Sequence, residues 1–138
     1  MPNVVFDASS IVGAALKRDS MPERALLLAR SYDTVCLSPS VEDEIREVRE
    51  RPKFRRYISD ASRQRILDIV GAAALMSHPI ERVSDCRDAK DNKYLELALA
   101  ADASIIVSSD EDLLVLDPWR GVRILRPADY VRLRGTRE

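Results

Sequence analysis

The sequence predicts an α/β fold, a three-layer sandwich in which a central, mostly parallel sheet is flanked by helices. Two observations support this prediction. Short apolar runs of strand length alternate along the chain with longer segments in which apolar residues recur at helical spacing. The chain has 138 residues, the usual length of one domain, and we expect a single domain over residues 1–138. Strands that alternate with helices are joined by right-handed crossovers, which produce a parallel sheet.

Four strands are predicted from short apolar runs that end at polar or turn-forming residues. They cover residues 3–6, 34–37, 104–107 and 122–125. The third run, Ser-Ile-Ile-Val, is rich in β-branched residues and is typical of a strand buried within a parallel sheet. Residues 80–87 are expected to form a loop with room for a short strand.

Helices are predicted between and after these strands. They begin near residues 8, 22, 39, 60, 90, 110 and 127. Proline opens three of them, because its missing N–H has no intrahelical partner in a first turn. Arg51-Pro52 ends the helix that starts at residue 39, and a turn through Tyr57 leads to a long helix that is expected to fade near Ser77.

Charge is unevenly distributed although the formal net charge is only -1. Basic residues crowd two regions. They are Arg46, Arg49, Arg51, Lys53, Arg55, Arg56, Arg63 and Arg65, and then Arg120, Arg123, Arg126, Arg132, Arg134 and Arg137. Acidic residues gather at positions 81–91 and 102–117. The pattern fits an acidic pocket ringed by basic surface, which suits a polyanion, and it fits equally a solvated, salt-bridged surface.

The composition, with 46% hydrophobic and 33% charged residues, is that of an ordinary globular protein. Cys36 and Cys86 have neither the spacing of a metal site nor the pattern of a disulfide framework, which fits a reducing compartment. No apolar run approaches membrane-spanning length, and no signal-like segment precedes the first strand. We therefore expect a cytoplasmic protein without a membrane partner.

Four acidic residues stand where a strand or loop meets a helix, or along the apolar border of a helix. They are Asp7, Glu44, Asp91 and Asp110. A carboxylate beside a core is costly, and converging carboxylates repel one another unless they are protonated or bind a cation. Both Asp7 and Asp110 follow predicted strands, whose carboxyl ends meet at one edge of a parallel sheet. Such oxygen ligands suit Mg²⁺ or Mn²⁺.

The two acids at strand ends have a simpler explanation, since Asp is a common helix N-cap. Asp7 would then cap the first helix. Asp110 has the same alternative, but Ser109 followed by Asp112 resembles a capping box, which would leave Asp110 free. Asp112 is therefore either a capping partner or an outer metal ligand, and Ser108 could orient a ligand or water.

The two acids on helices also have alternatives. Glu44 lies nearer the apolar stripe of its helix than its acidic neighbours, but a border position lets a carboxylate reach water. Asp91 shares a helix face with Leu95 and Ala98. If Asp88 caps that helix, Asp91 could simply be a favourable charge at its N-terminus, and Asp88 could itself be an accessory ligand.

Four segments together carry a resemblance that covers nearly the whole chain. They read VVFDASSIVGAAL, SPSVEDEIREVRERPKF, DAKDNKYLELALAADASIIVSSDEDLL and VRILRPADYV. On these segments the chain resembles the PIN-domain family, in particular bacterial and archaeal members assigned as toxins of toxin–antitoxin systems. Two departures are Ala8, where such proteins often carry Thr or Ser, and Ser109, which replaces a frequent Gly. They bear on the groups that orient the ligands rather than on the ligands.

The resemblance implies a site and an activity. Asp7, Glu44, Asp91 and Asp110 match the catalytic, metal-binding acids of the family, with Asp112 as an additional acid, and Ser9 and Ser108 match polar positions that hold water or phosphate. The implied reaction is Mg²⁺- or Mn²⁺-dependent endonucleolytic hydrolysis of RNA, leaving a 5′-phosphate and a 3′-hydroxyl. The implied partners are RNA, a small antitoxin protein and a second copy of the chain, with the second and fourth helices as candidate dimer faces.

Two other functional classes remain. A degenerate PIN domain could act as a non-catalytic module that binds RNA or a protein. A receiver-like phosphoacceptor domain also places Asp at strand ends, but it fits poorly. It should have paired acids after the first strand and a late partner lysine, whereas Asp7 stands alone and the last strand lacks lysine.

Overall fold

A central parallel sheet organises the molecule. This computed structural model describes residues 2–52, 56 and 59–135, and in that part of the chain five strands form one sheet. They are β1 (Asn3–Phe6), β2 (Thr34–Leu37), β3 (Ala74–Met76), β4 (Ile105–Val107) and β5 (Arg123–Leu125), in the spatial order β3-β2-β1-β4-β5. Every neighbouring pair is parallel. The predicted α/β class with a parallel sheet flanked by helices is confirmed.

Seven α-helices flank this sheet within the described residues. They are α1 (Ala8–Leu16), α2 (Met21–Tyr32), α3 (Pro39–Glu50), α4 (Asp60–Ala73), α5 (Asn92–Ala100), α6 (Glu111–Leu114) and α7 (Pro127–Gly135). Ser20 and Ser38 cap α2 and α3 through their side chains, and proline stands in the first turn of both helices. A 3-10 turn, Ala89–Asp91, precedes α5. Of the predicted turn after Pro52, residue 57 lies outside the described part of the chain.

The strand β3 was not predicted. The sequence pattern extends the fourth helix to about Ser77, but α4 ends at Ala73 and residues 74–76 pair with β2 instead. The backbone N–H of Ser77 continues this contact, donating to the carbonyl of Leu37 at 2.8 Å. A short apolar run fits a helix end and a strand equally well, so the local sequence does not distinguish them. Residues 74–76 form a strand because they pair with the free edge of β2. Residues 80–87, where the sequence also fits a short strand, contain no strand.

The order of the strands reverses direction between β1 and β4. From β1 the chain moves outward through β2 to β3, then returns across the sheet to β4 and moves outward again to β5. Phe6 of β1 is in register with Val107 of β4, so both strands end side by side. In an open parallel sheet such a reversal opens a crevice beyond the carboxyl ends of the two strands. This crevice is where a ligand is expected.

A buried ionic contact holds the terminal helix against α2. Arg134 donates to both carboxylate oxygens of Asp33, at 2.7 and 2.9 Å, and the Tyr130 hydroxyl donates to the same carboxylate. The ring of Tyr130 packs edge-on against Phe6, with centroids 5.9 Å apart. A buried pair of this kind is sensitive to loss of one partner, because the other charge is then left without compensation. The helix α7 thus closes the core beneath β1.

Candidate functional site

Asp7 is fixed at the junction of β1 and α1. Its Oδ1 accepts a hydrogen bond from the backbone N–H of Ser10 at 2.8 Å, so Asp7 is the N-cap of α1. Its Oδ2 accepts from the hydroxyl of Ser108 at 2.5 Å. The residue is 5% exposed, and burial raises the pKa of its carboxyl, with a further rise from the nearby Asp110. Capping therefore uses one oxygen of Asp7 and leaves the carboxylate beside the other acids.

Ser108 joins the two strand ends. It is fully buried directly after β4, where it donates to Asp7 and accepts from the backbone N–H of Asp110 at 2.9 Å. Asp110 in turn caps α6, because its Oδ1 accepts from the backbone N–H of Asp112 at 2.9 Å. The suggested capping box of Ser109 and Asp112 is thus wrong. A short loop after β4 brings the N–H of residue 112 to Asp110 rather than to Ser109.

Asp91 lies in the most unfavourable position of the acids. It ends the 3-10 turn, which Asp88 caps, as in the alternative explanation of Asp91, by accepting from the backbone N–H of Lys90 at 3.1 Å. Asp91 is 7% exposed, and its Oδ2 is buried without a hydrogen-bond partner among the described residues. One carboxylate oxygen from each of Asp88, Asp91 and Asp110 lies within 4.8 Å of the others. Burial first, and then the neighbouring Asp110, raise the pKa of Asp91 to about 8.

Glu44 reaches the same crevice from α3. The hydroxyl of Tyr94 donates to Glu44 Oε2 at 2.6 Å, and the Lys93 ammonium lies 2.8 Å from the same oxygen. Tyr94 also accepts a hydrogen bond from the backbone N–H of Ala8 at 3.0 Å. Burial and the bond to Glu44 raise the pKa of Tyr94 well above its usual range, so its hydroxyl stays protonated. The side chain of Glu44 is 16% exposed and is therefore not a freely solvated carboxylate.

These residues line one cavity of about 260 Å³. Its walls are formed by Asp7, Ser9, Glu44, Asp91, Tyr94, Ser109 and Asp110. The four acids singled out from the sequence are thus together, with Ser9 on the rim and Ser108 buried beneath Asp7. Asp112 is not part of this wall, and its carboxylate lies 4.0 Å from Arg87. The structure therefore places Asp112 at the edge of the group and Asp88 within it.

The donor set suits a hard divalent cation. All the converging side chains offer carboxylate oxygens, which is the chemistry that Mg²⁺ and Mn²⁺ prefer. Burial of Asp91 Oδ2 without a partner carries an energetic cost that a cation would remove. The raised pKa values of Asp7 and Asp91 express the same cost, since each carboxyl holds its proton more tightly when no cation is present.

Tyr94 and Lys93 were not identified from the sequence. Tyr94 follows Asp91 by three residues and so falls on the same helix face, a spacing that could have indicated its place in the crevice. Its contact with Glu44 spans 50 residues of sequence, and no local sequence pattern predicts that contact. Lys93 reads in the sequence as an ordinary exposed helix residue.

Arginines of the first basic region pair with acids, as Arg46 does with Glu42 and Arg51 with Glu47. Several C-terminal arginines are paired with acids, as in Arg123 with Asp117 and Arg126 with Glu111, which favours the salt-bridged alternative there. Lys53, Arg55 and Arg137 lie outside the described residues. Closer to the crevice, two further cavities of about 420 and 470 Å³ share Arg82, Lys93 and Glu96 in their walls. Positive charge thus flanks the acids on the side of Lys93.

Comparison with known proteins identifies the family. The family model described as PIN domain matches residues 3–112. The chain belongs to the PIN-domain family. PIN domains are generally nucleases, so membership is consistent with a hydrolase. The uncharacterized protein MJ1680 of Methanocaldococcus jannaschii is 30% identical over 115 residues, which cover 82% of this chain and 74% of that protein.

Two solved structures share the PIN fold seen here. PAE2754 from Pyrobaculum aerophilum aligns with a TM-score of 0.60 and 18% identity, over 97% of this chain and 90% of that one. VapBC2 from Rickettsia felis, solved bound to a DNA fragment from its promoter, aligns with a TM-score of 0.57 and 14% identity, over 88% of this chain and 96% of that one. Among the described residues, no helix is long and apolar enough to cross a membrane.

Proposed function

We propose that this PIN domain is a Mg²⁺- or Mn²⁺-dependent endoribonuclease that hydrolyses RNA phosphodiester bonds and serves as the toxin of a toxin–antitoxin pair. The observation that supports it most directly is the buried Oδ2 of Asp91, which has no hydrogen-bond partner among the described residues and lies among the carboxylates of Asp88 and Asp110. A protein that only bound RNA would gain nothing from such an arrangement, because converging carboxylates repel both one another and a phosphate backbone.

The cation would be held by Asp7, Asp91 and Asp110, with Asp88 beside them. When bound, Mg²⁺ or Mn²⁺ supplies Lewis acidity to the phosphate and lowers the pKa of water. Ser10 and Ser108 fix the two oxygens of Asp7, so this ligand needs little reorganisation. Ser9 stands on the rim of the cavity, where its exposed hydroxyl can donate to a phosphate oxygen. Asp112 does not line this cavity and would at most be an outer ligand.

Glu44 would hold the attacking water or a second cation. It approaches the crevice from α3, opposite the strand ends that carry Asp7 and Asp110. Attack of water on phosphorus forms one P–O bond and breaks the bond to the 3′ oxygen. The products are a 5′-phosphate and, after protonation of the leaving oxygen, a 3′-hydroxyl. The carboxylate of Glu44 is suited to accept the proton that the water loses.

The distribution of charge supports a polyanionic substrate. Lys93 and Arg82 line two cavities on one side of the acids, so nucleotides on that side of the reacting phosphate would meet positive charge. Contacts of this kind bind the backbone without reading the bases. The choice of RNA follows the family, and the sequence that is cut would be set by groups outside the acid cluster.

The toxin role carries two partners. A small antitoxin would cover the crevice and block access of RNA, a role supported by the likeness of this fold to VapBC2. A second copy of the chain is the other expected partner. On α2, Met21 and Leu27 are each 42% exposed, so this helix presents apolar side chains that could be covered by self-association. Light scattering of the purified protein tests the dimer.

An assay of purified protein on a pool of cellular RNA tests the proposal. Parallel reactions contain Mn²⁺ or EDTA, and the cut ends are mapped. We expect cleavage with Mn²⁺ alone, producing 5′-phosphate and 3′-hydroxyl ends. Cleavage that persists in EDTA would contradict metal dependence. Binding of RNA without cleavage, together with no Mn²⁺ binding by calorimetry, would instead favour a non-catalytic binding module.

A further inference from the structure

Both contacts of the Glu44 side chain fall on a single oxygen. Tyr94 donates its hydroxyl proton to Oε2 at 2.6 Å, and the Lys93 ammonium lies 2.8 Å from that oxygen. No partner of Oε1 lies among the residues that the structure describes. The two oxygens of one carboxylate are thus used differently, and Oε1 is the oxygen left for chemistry.

Tyr94 is itself held rigidly. It is 2% exposed on α5, and its hydroxyl accepts from the backbone N–H of Ala8 while donating to Glu44. This single oxygen therefore connects α3, α5 and the first residue after Asp7. Because the Tyr94 hydroxyl is engaged by both Ala8 and Glu44, it serves the geometry of Glu44. Lys93 adds a charge, with its side chain 24% exposed at the edge of the crevice.

We propose that Tyr94 and Lys93 are positioning residues that hold Glu44 by Oε2 and leave Oε1 as the one oxygen that Glu44 presents to the attacking water or to a cation. This role rests on the proposed function, since it concerns the same site. A carboxylate held in this way cannot rotate to offer both oxygens. Loss of an orienting partner typically lowers metal affinity or activity by about 10- to 100-fold.

The first test is Tyr94→Phe, with Tyr130→Phe as the matched control. Each change removes a buried tyrosine hydroxyl that donates to a carboxylate, but the Tyr130 hydroxyl bonds to Asp33, in the contact between α7 and α2. We expect Tyr94→Phe to lower kcat by roughly 10- to 100-fold, with KM for RNA unchanged because the residue is buried. We expect weaker Mn²⁺ binding by calorimetry as well. Tyr130→Phe should lower Tm without changing kcat or Mn²⁺ affinity.

The second test leaves the core intact. Lys93→Met removes the charge beside Glu44, whereas Lys93→Arg retains a cation that can reach Oε2. Lys17→Met removes an exposed charge at the C-terminal end of α1, the end away from Asp7. We expect kcat to fall by about tenfold in Lys93→Met, in line with the loss of one orienting partner, and to recover in Lys93→Arg. Lys17→Met should keep the wild-type kcat.

The outcomes separate this role from the proposed function. If wild-type protein cleaves RNA and Asp7→Asn does not, while Tyr94→Phe and Lys93→Met keep wild-type kcat and Mn²⁺ affinity, the positioning role is wrong and the nuclease stands. If wild-type protein does not cleave RNA but Tyr94→Phe still weakens Mn²⁺ binding relative to Tyr130→Phe, the positioning of Glu44 stands and the nuclease fails. Equal losses of kcat and Mn²⁺ affinity in Tyr94→Phe and Tyr130→Phe would also overturn the positioning role.

Discussion

Replacing Asp91 with Asn should stabilise the protein when no divalent cation is present. The Asp91 carboxyl is buried among Asp88, Asp110 and Glu44, and its pKa is raised from 3.8 to about 8. The folded protein therefore keeps a proton that the unfolded chain releases between these two pH values. Stability must then fall as the pH rises through this window, because the folded state binds more protons there. Asn carries no titrating group and removes that fall.

The size of the stability change follows from how far the pKa of Asp91 is raised. Each unit of pKa difference between the folded and unfolded states is worth about 1.4 kcal/mol, so the full difference approaches roughly 6 kcal/mol. Solvent enters the 260 Å³ cavity and screens the acids. We therefore expect about 2 kcal/mol of additional benefit from Asp91→Asn at pH 8 compared with pH 5. For a domain of this size that amount raises Tm by about 8 °C.

Thermal melts in EDTA at pH 5 and pH 8 measure this difference. The control is Asp43→Asn, which changes an exposed acid on α3 away from the cluster and should shift Tm equally at both pH values. A Tm difference between Asp91→Asn and wild type that is no larger at pH 8 than at pH 5 would refute the reasoning. With Mn²⁺ present the order should reverse, since wild type gains stability from the cation and the variant gains little.

Three further predictions follow from the same contacts. Saturating wild-type protein with Mn²⁺ at 100 times its Kd should add about 2.7 kcal/mol of stability, and a Tm that ignores Mn²⁺ would argue against a folded-state site. Ser108→Ala removes the hydrogen bond to Asp7 and should weaken Mn²⁺ binding by about tenfold, whereas Ser108→Thr, which retains the hydroxyl, should bind nearly normally; calorimetry distinguishes them. Arg134→Met leaves Asp33 buried without its partner and should cost about 3 to 5 kcal/mol in denaturant unfolding, and an equally large loss of Mn²⁺ affinity would show that the change is not local.

The places of Asp7 and Asp110 could be predicted because they follow from a general rule of parallel sheets. Asp7 comes directly after one apolar run and Asp110 three residues after another, and adjacent parallel strands end at the same edge. Asp91 could be predicted for a different reason, since its helix face places it against the core. In these cases a local pattern was enough to identify a residue with an unusual environment.

The parts that could not be predicted depend on contacts between distant segments. Residues 74–76 form β3 because they pair with the edge of β2. The same residues fit the end of a helix equally well. The capping of α6 by Asp110 depends on the loop after β4, which the Ser109 and Asp112 spacing did not reveal. The sequence offers two alternatives for Asp7, a helix cap and a member of the acid cluster. In the structure one oxygen caps α1 and the other faces Ser108 beside the cluster.

We propose above that the converging acids make this PIN domain a metal-dependent ribonuclease. The most direct test is the cleavage of end-labelled single-stranded RNA by wild type and Asp7→Asn, each with Mn²⁺, after melts have shown that both proteins are folded. We predict that wild type cuts the RNA and that Asp7→Asn does not. Equal cleavage by the two proteins would contradict the assignment of the acids.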